Sequence, residues 1–252
     1  MMKVKKVLIS QPAPETGKSP YYEIAEKYNL TLDFHPFIRV EGIDSKEFKQ
    51  QKVGILDFTA VVFTARTAVD HFFRICEDMK IIVPDTMMYF CTSESVALYL
   101  QKYTVYRKRK IFFGATGKIE GLSNVFEKHK KEKFLVPVSE THAPNVTEML
   151  DKKKLDYQKA IMYRTVSNTI TEEAIMSYDM LVFFSPSGIA SLFENAPGFK
   201  QEARVIGCFG ESTAQAVAKA GLVLNCQAPR PEFPSMTAAL ESFIKENHNA
   251  KK

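Results

Sequence analysis

The sequence lacks the features that mark membrane and secreted proteins. No apolar run approaches the roughly 20 residues that a membrane-spanning helix needs. The N-terminal segment MMKVKKVLISQP has too short an apolar stretch for a signal peptide and reads instead as a first strand. Only four cysteines occur, far apart and without a CxxC pair: Cys76, Cys91, Cys208 and Cys226. We therefore expect a cytoplasmic protein with reduced thiols and no membrane contact.

Cofactor and catalytic motifs are missing as well. The chain has no Walker loop, HExxH, GxSxG or EF-hand loop, and no glycine-rich loop spaced for a dinucleotide. Its histidines have no metal-ligand spacing: His35, His71, His129, His142 and His248. No lysine stands out by context as a ligand of pyridoxal phosphate, although such a lysine has no signature of its own. We expect no bound metal and no nucleotide.

The charge of the chain is modest for a nucleic-acid-binding protein. The formal net charge is +5 and the sequence pI is near 8.8. The lysines are scattered, apart from RKRK at 107–110 and KHKKEK at 128–133. Such clusters are usually solvated helix ends or loops, so we expect no nucleic-acid partner. A mildly basic protein suits a small polyanionic substrate instead.

What the sequence does contain is a repeated alternation of apolar runs and helical patterns. Runs such as VLIS, AVVFT, KFLVPV and MLVFFS are bounded by polar turns, and most of them lead into segments such as TAVDHFFRICEDM. This alternation predicts an α/β protein whose parallel sheets are covered by helices. Ligands of such folds bind outside the carboxyl ends of the strands.

The alternation also repeats itself along the chain. AVVFTARTAVDHFF (60–73) aligns with MLVFFSPSGIASLF (180–193), and FCTSESVAL (90–98) aligns with GCFGESTAQ (207–215). A third pairing sets VLISQPAPET against FLVPVSETHAP. Chance similarity between strand–helix junctions could explain one such pairing. Three pairings in compatible order make chance a poorer explanation. The repeat predicts two related α/β units.

Two β-prone segments lead into no obvious helix and are predicted to connect these units. They are FHPFIRVEG at 34–42 and a segment at 156–168 that contains QKAIMYRTVSN. We expect both to be antiparallel linker strands. One domain is then formed by residues 1–33 plus 169–252, and the inserted domain by residues 43–155. A connection of two strands leaves an open cleft and permits hinge motion.

Hydroxyl side chains cluster where predicted strands turn into helices. The simple interpretation is helix capping, since Ser and Thr accept hydrogen bonds from free N–H groups at helix starts. The alternative is carboxylate binding by hydroxyls, amides and positive helix ends together, to which Arg66 could add a bidentate contact. Four such turns, all at the carboxyl ends of strands that are expected to face one cleft, favour the second interpretation. The turn residues are Thr64, Thr67, Ser93, Ser95, Ser185, Ser187, Gly188, Ser212 and Thr213.

Tyr163, in AIMYRTV, is the remaining candidate for chemistry. Its pattern favours an aromatic residue packed on a connecting strand. A tyrosine that faces a cleft could instead donate a proton to a leaving oxygen, although a phenol with a pKa of about 10 is a weak acid.

The same residues resemble a known enzyme family. FTARTAVDHF (63–72), MYRTV (162–166), VFFSPSGIASL (182–192) and IGCFGESTAQAVAKAGL (206–222) are similar to recurring elements of the uroporphyrinogen-III synthases. APRPEFPSMTAALESF (228–243) is similar to the closing segment of that family. The resemblance covers essentially the whole chain, and the order and spacing of the motifs make it specific.

The resemblance implies a fold and a reaction. The fold is α/β, with two flavodoxin-like domains that have parallel sheets and are joined by a two-stranded antiparallel linker. The substrate is hydroxymethylbilane, a linear tetrapyrrole with eight carboxylates, which closes to uroporphyrinogen III with loss of water and inversion of ring D. No redox step occurs and no cofactor is needed. We expect a monomer in heme biosynthesis, and transient contacts with neighbouring pathway enzymes are left open.

The resemblance also implies roles for single residues. Tyr163 is similar to the family tyrosine that assists departure of the hydroxyl. The first strand departs from the family, because Ser10-Gln11-Pro12 stands where many members have Thr-Arg-Pro, so no arginine contact is assigned there. The substrate-binding positions are Thr64, Ala65, Arg66, Ser93, Ser185, Pro186, Ser187, Gly188, Ser212 and Thr213.

Two rival functions fit the same pattern. A non-catalytic, two-lobed cytoplasmic protein that binds a small anion would use the same cleft. An enzyme of another class, such as a phosphosugar isomerase or a transferase, would need an acid–base pair or a phosphate loop, and the sequence shows neither.

Overall fold

The computed structural model describes residues 4–114, 117–142 and 144–249. It divides the chain into two units. The discontinuous unit consists of Met1–Arg39 and Val166–Lys252, and the inserted unit is Val40–Thr165. The two boundaries fall within the segments that the sequence analysis interprets as linkers.

The strands and helices follow one another as the alternation of the sequence predicts. The strands are β1 (Lys6–Ile9), β2 (Thr31–Phe34), β3 (Ile38–Gly42), β4 (Ala60–Phe63), β5 (Met88–Cys91), β6 (Ile111–Phe113), β7 (Lys133–Ser139), β8 (Asp156–Ser167), β9 (Met180–Phe183), β10 (Val205–Phe209) and β11 (Leu224–Ala228). The α-helices are α1 (Pro20–Tyr28), α2 (Ser45–Gln50), α3 (Arg66–Asp78), α4 (Glu94–Tyr99), α5 (Ser123–Lys128), α6 (Asn145–Lys152), α7 (Glu172–Met176), α8 (Pro186–Asn195), α9 (Glu211–Lys219) and α10 (Met236–Asn249).

The sheet orders of the two units correspond strand by strand. The discontinuous unit has the order β11-β10-β9-β1-β2, and the inserted unit has the order β3-β8-β7-β4-β5-β6. The internal repeat pairs β4 with β9, β5 with β10 and β7 with β1. Read from the opposite end, the second order therefore matches the first, with β8 in the place of β2 and β3 added at the edge.

Both sheets are mostly parallel, which confirms the predicted fold class. The first sheet is wholly parallel, and the second contains one antiparallel pair, formed by β3 and β8. The central strands β4 and β9 are buried at every residue. Such continuous apolar strands are typical of parallel sheets that are covered on both faces.

Strand β8 is more than a connection. It pairs in parallel with β7 from Lys133 opposite Asp156 to Ser139 opposite Tyr163. Most of its length therefore belongs to the sheet of the inserted unit. The predicted segment 34–42 is likewise divided, since β2 ends at Phe34 and β3 begins at Ile38.

Each sheet separates two hydrophobic clusters within its own unit. In the inserted unit, Phe63 and Phe72 pack on one face and Phe90 and Phe126 on the other. In the discontinuous unit, Ile9 and Val182 lie in one cluster, and Leu8 and Phe183 in the other. Among the described residues, no helix has the length and apolar content to cross a membrane.

Candidate functional site

The carboxyl edge of the inserted sheet opens on a cavity of about 480 Å³. Thr64 follows β4, Thr92 follows β5, Ser139 ends β7 and Tyr163 lies in β8, and all four line this cavity. The remaining lining residues are Gly117, Lys118, Ile119, Glu120, Val138, Thr141, His142, Asn145, Val146 and Thr147. Strand ends of a parallel sheet meet at this edge, which is where ligands of α/β folds bind.

A β-bulge in β8 immediately precedes Tyr163 and sets its position in the strand. Val138 pairs with Ile161, but the next residue, Ser139, pairs with Tyr163, so Met162 is passed over in the register. Met162 belongs to the core cluster around Phe63, and Tyr163 packs against the same cluster. The extra residue in β8 therefore interrupts the regular alternation of side chains across the sheet at this point.

The phenol ring of Tyr163 is half-buried and stacks on the imidazole of His71. The two ring centroids are 5.0 Å apart and the ring planes differ by 17°. Burial raises the pKa of Tyr163, so the phenol keeps its proton throughout the neutral range. In this form the hydroxyl can donate a hydrogen bond or a proton to a leaving oxygen.

Arg74 holds both the bulge and the stacked histidine. Its Nη2 donates to the carbonyl oxygens of Ile43 at 2.8 Å and Met162 at 3.2 Å, and its Nε donates to His71 Nδ1 at 3.2 Å. Burial, together with the charge of Arg74, lowers the pKa of His71, against a smaller opposing effect of Asp70. The imidazole next to Tyr163 is therefore neutral at pH 7.

The other predicted residues of the inserted unit occupy the same edge. Thr92 Oγ1 donates to the carbonyl oxygen of Thr64 at 3.1 Å, which ties two strand ends together. Ser93 caps α4 by accepting from Val96 N at 3.4 Å. Ala65 is the N-cap of α3 and supplies no side-chain cap, whereas the exposed Arg66 places its guanidinium 5.5 Å from the ring centroid of Tyr99.

In the discontinuous unit, the PSGI turn is closed by its own residues. Ser185 Oγ accepts from Gly188 N at 3.1 Å and so caps α8, which begins at Pro186. Capping uses only a lone pair of the hydroxyl, so its proton remains available to an acceptor. Pro186 and Ser187 are exposed, and Gly188 is buried.

The turn after β10 is arranged differently. It passes through Gly210, whose φ is 89°, and α9 starts at Glu211. Ser212 is exposed, but Thr213 is only 1% exposed. Ser212 is therefore the hydroxyl that a ligand can reach at this turn, while Thr213 contributes packing.

Several cavity residues escaped the sequence analysis. Thr92 and Ser139 were missed because neither begins a helix, although each directly ends an apolar strand, and this position is the signal that could have found them. His142 and Asn145 lie between β7 and the first turn of α6, in a stretch of sequence without a glycine-rich or hydroxyl-rich pattern. Within the described ranges, no group of three His, Cys, Asp or Glu side chains is placed to hold a metal ion.

The sequence of this chain matches one known protein family. The profile of the family described as uroporphyrinogen-III synthase HemD matches residues 19–238. The chain belongs to the uroporphyrinogen-III synthase family. The resemblance of the sequence motifs to this family is thereby confirmed, and with it the assignment to porphyrin and heme biosynthesis.

Solved structures of this family share the fold. A uroporphyrinogen-III synthetase from Helicobacter pylori is 16% identical, with a TM-score of 0.61 over 96% of this chain and 99% of that chain. A mutant uroporphyrinogen III synthase from Thermus thermophilus is also 16% identical, with a TM-score of 0.56 over 98% of this chain and 99% of that chain. At this identity the likeness establishes the fold alone. The roles of single residues are argued from the geometry of this chain.

Proposed function

We propose that this chain is a uroporphyrinogen-III synthase that closes hydroxymethylbilane to uroporphyrinogen III with loss of water. In this reaction the terminal hydroxyl leaves and an electrophilic azafulvene forms. Ring D attacks through its substituted carbon to give a spiro intermediate, which fragments and recloses with ring D inverted. Membership of the family supports the proposal. The observation that carries it is the half-buried Tyr163 lining the cavity at the edge of the inserted sheet.

Tyr163 is the proposed acid for departure of the hydroxyl. As the carbon–oxygen bond breaks, the phenol donates its proton to the leaving oxygen, which departs as water. The proton released when the closed ring regains its pyrroles restores the phenol. Because burial raises its pKa, Tyr163 is protonated at the start of each cycle. The raised pKa also limits its strength as an acid, so we assign it an assisting role.

Positioning of the substrate supplies the rest of the catalysis. The free substrate can close without inversion, so the enzyme must impose one conformation. We assign carboxylate contacts to Thr64, Ala65, Arg66 and Ser93 of the inserted unit. In the discontinuous unit we assign them to Ser185, Pro186, Ser187, Gly188, Ser212 and Thr213, with Thr213 acting through its main chain because its side chain is buried. Donors fixed before the reaction orient charged groups at little entropic cost.

A coupled assay tests the proposed reaction. Hydroxymethylbilane is generated in place, the protein is added, and the oxidised products are separated into type I and type III uroporphyrin. We expect mostly type III, with boiled protein giving type I. Type I alone from folded protein would favour the rival function, a non-catalytic protein that binds a small anion. The cytoplasmic location and the monomeric state stay predictions.

A further inference from the structure

The end of β7 holds a buried hydroxyl, directly beside Tyr163, that no described residue hydrogen-bonds. Ser139 is the last residue of β7 and pairs with Tyr163 of β8. The residue lines the cavity but is only 9% exposed, and its Oγ has no hydrogen-bond partner within the described residues. A buried hydroxyl that lacks a partner costs free energy unless a ligand completes it.

His142 presents a second polar group at the same place. A carbonyl oxygen can only accept, so His142 Nδ1 donates to the Ser139 carbonyl at 2.8 Å. This bond fixes the ring and leaves Nε2, which makes no hydrogen bond in the part of the chain that the structure describes. When both ring nitrogens carry a proton, Nε2–H is a second donor and can bind a carboxylate.

The adjoining helix adds positive potential. Helix α6 spans Asn145–Lys152, and its N-cap, Pro144, provides no side-chain cap. Its first residues line the cavity, so the positive end of the helix is turned toward this space. Lys118 also lines the cavity, and Glu120 is its acidic counterpart there. Hydroxyl, imidazole and helix end together match a single carboxylate.

We infer that Ser139 and His142 form a carboxylate subsite of the cavity. The inference rests on the proposed function, in which the ligand is a tetrapyrrole that carries carboxylates. Ser139 Oγ and His142 Nε2 each donate to one carboxylate of the substrate. Neighbouring strands lie about 4.8 Å apart, so this contact anchors the substrate one strand away from the phenol of Tyr163. The subsite orients the chain end that loses its hydroxyl.

Binding of uroporphyrin III, a stable porphyrin with eight carboxylates, tests the subsite apart from catalysis. Fluorescence titration should give a Kd about tenfold higher for Ser139→Ala and for His142→Leu, the loss expected for a hydrogen bond to a charged group. His142→Gln keeps an N–H donor and should restore part of the affinity. The double variant should lose less than the product of the single effects, because both groups hold one carboxylate.

Steady-state kinetics with hydroxymethylbilane provide the second measurement. The same variants should raise KM about tenfold with kcat nearly unchanged and type III uroporphyrin still the product. The control is His129→Gln, a histidine of the same unit that packs against Phe90 and Phe112 outside the cavity. Circular dichroism and thermal melting verify that each variant is folded.

The outcomes separate this inference from the proposed function. Unchanged Kd and KM in folded Ser139→Ala and His142→Leu overturn the subsite, even if the wild type makes type III. A fall in kcat at constant KM also overturns it. If the wild type makes only type I but the variants still lose affinity for uroporphyrin III, the proposed function fails and the subsite stands.

Discussion

The carboxyl edges of the two sheets follow one plan but carry different groups. In the discontinuous unit, the turn after β9 is satisfied internally, since Ser185 caps its own helix through Gly188 N. In the inserted unit, the edge opens on a cavity lined by Tyr163 and Ser139, whose hydroxyl has no hydrogen-bond partner among the described residues. The edge of the discontinuous unit offers backbone amides and hydroxyls that cap helices. The edge of the inserted unit also has the phenol of Tyr163, a group that can transfer a proton.

The difference originates in one strand. By sheet order, β8 is the counterpart of β2, but β2 has four residues and β8 has twelve. The bulge at Met162 lies in the added length and turns Tyr163 toward α3. The repeated strand–turn–helix plan thus accounts for the proposed binding at both edges, and a local change in one strand explains where the proposed acid comes from.

Removing the hydroxyl of Tyr163 should have the largest effect, because it removes the group that distinguishes the edge of the inserted unit. We expect Tyr163→Phe to lower kcat roughly 100-fold with KM little changed, because general acid assistance is lost while the ring still stacks on His71. Some type III product should persist, since positioning is distributed over many contacts. Initial rates in the coupled assay measure the effect.

Tyr157→Phe is the matched control for this substitution. Tyr157 lies in the same strand, and its hydroxyl donates to Asp151 Oδ1 at 2.9 Å, outside the cavity lining. Its kcat should equal that of the wild type. Equal turnover of Tyr163→Phe and wild type would remove Tyr163 from the mechanism.

Removing the hydrogen bonds that hold the bulge should lower kcat by a smaller factor. Arg74→Met removes the donors to Ile43, Met162 and His71, so we expect kcat to fall about tenfold through misplacement of the phenol. Its effect should nearly vanish when Tyr163→Phe is already present, because no hydroxyl remains to be positioned.

Arg107→Met serves as the control for the loss of an arginine. Arg107 pairs with Asp85 at 3.3 Å at the other end of the strands of the inserted unit, before β6 begins. Its substitution should leave kcat unchanged. An equal loss in both backgrounds of Tyr163 would show that Arg74 acts by general stability and not through the phenol.

The sequence was sufficient to predict what depends on local patterns. Apolar runs such as AVVF and MLVF are long enough to mark buried strands, and their repetition predicted the related units. The turns at Thr64 and Ser185 could be located because each lies between such a run and a helix. These features need no knowledge of which strands pair.

The bulge and the cavity depend on pairing and could not be predicted. Ala160 and Met162 are both buried, so the sequence of β8 alternates as an ordinary strand up to that point. Only its register against β7 reveals that Met162 is passed over and that Tyr163 pairs with Ser139. The orphaned hydroxyl and the stacking on His71 follow from this register, which no local pattern encodes.

A glycine at the other edge gives the smallest and most specific test. Gly210 has a φ of 89°, and an added Cβ would meet nothing within 4 Å, so Gly210→Ala introduces backbone strain alone. We expect urea unfolding to show a loss of about 1 kcal/mol. Gly17→Ala, in the same unit, also meets nothing within 4 Å and lacks a positive φ, so it should cost almost nothing.

The kinetics of Gly210→Ala bear on the division of roles between the edges. If the discontinuous unit contributes binding and the inserted unit the acid, distortion of the turn before α9 should raise KM slightly and leave kcat as it is. A fall in kcat comparable to that of Tyr163→Phe would mean that the turn at Gly210 takes part in the chemical step. The division in which one edge contributes binding and the other the acid would then be wrong.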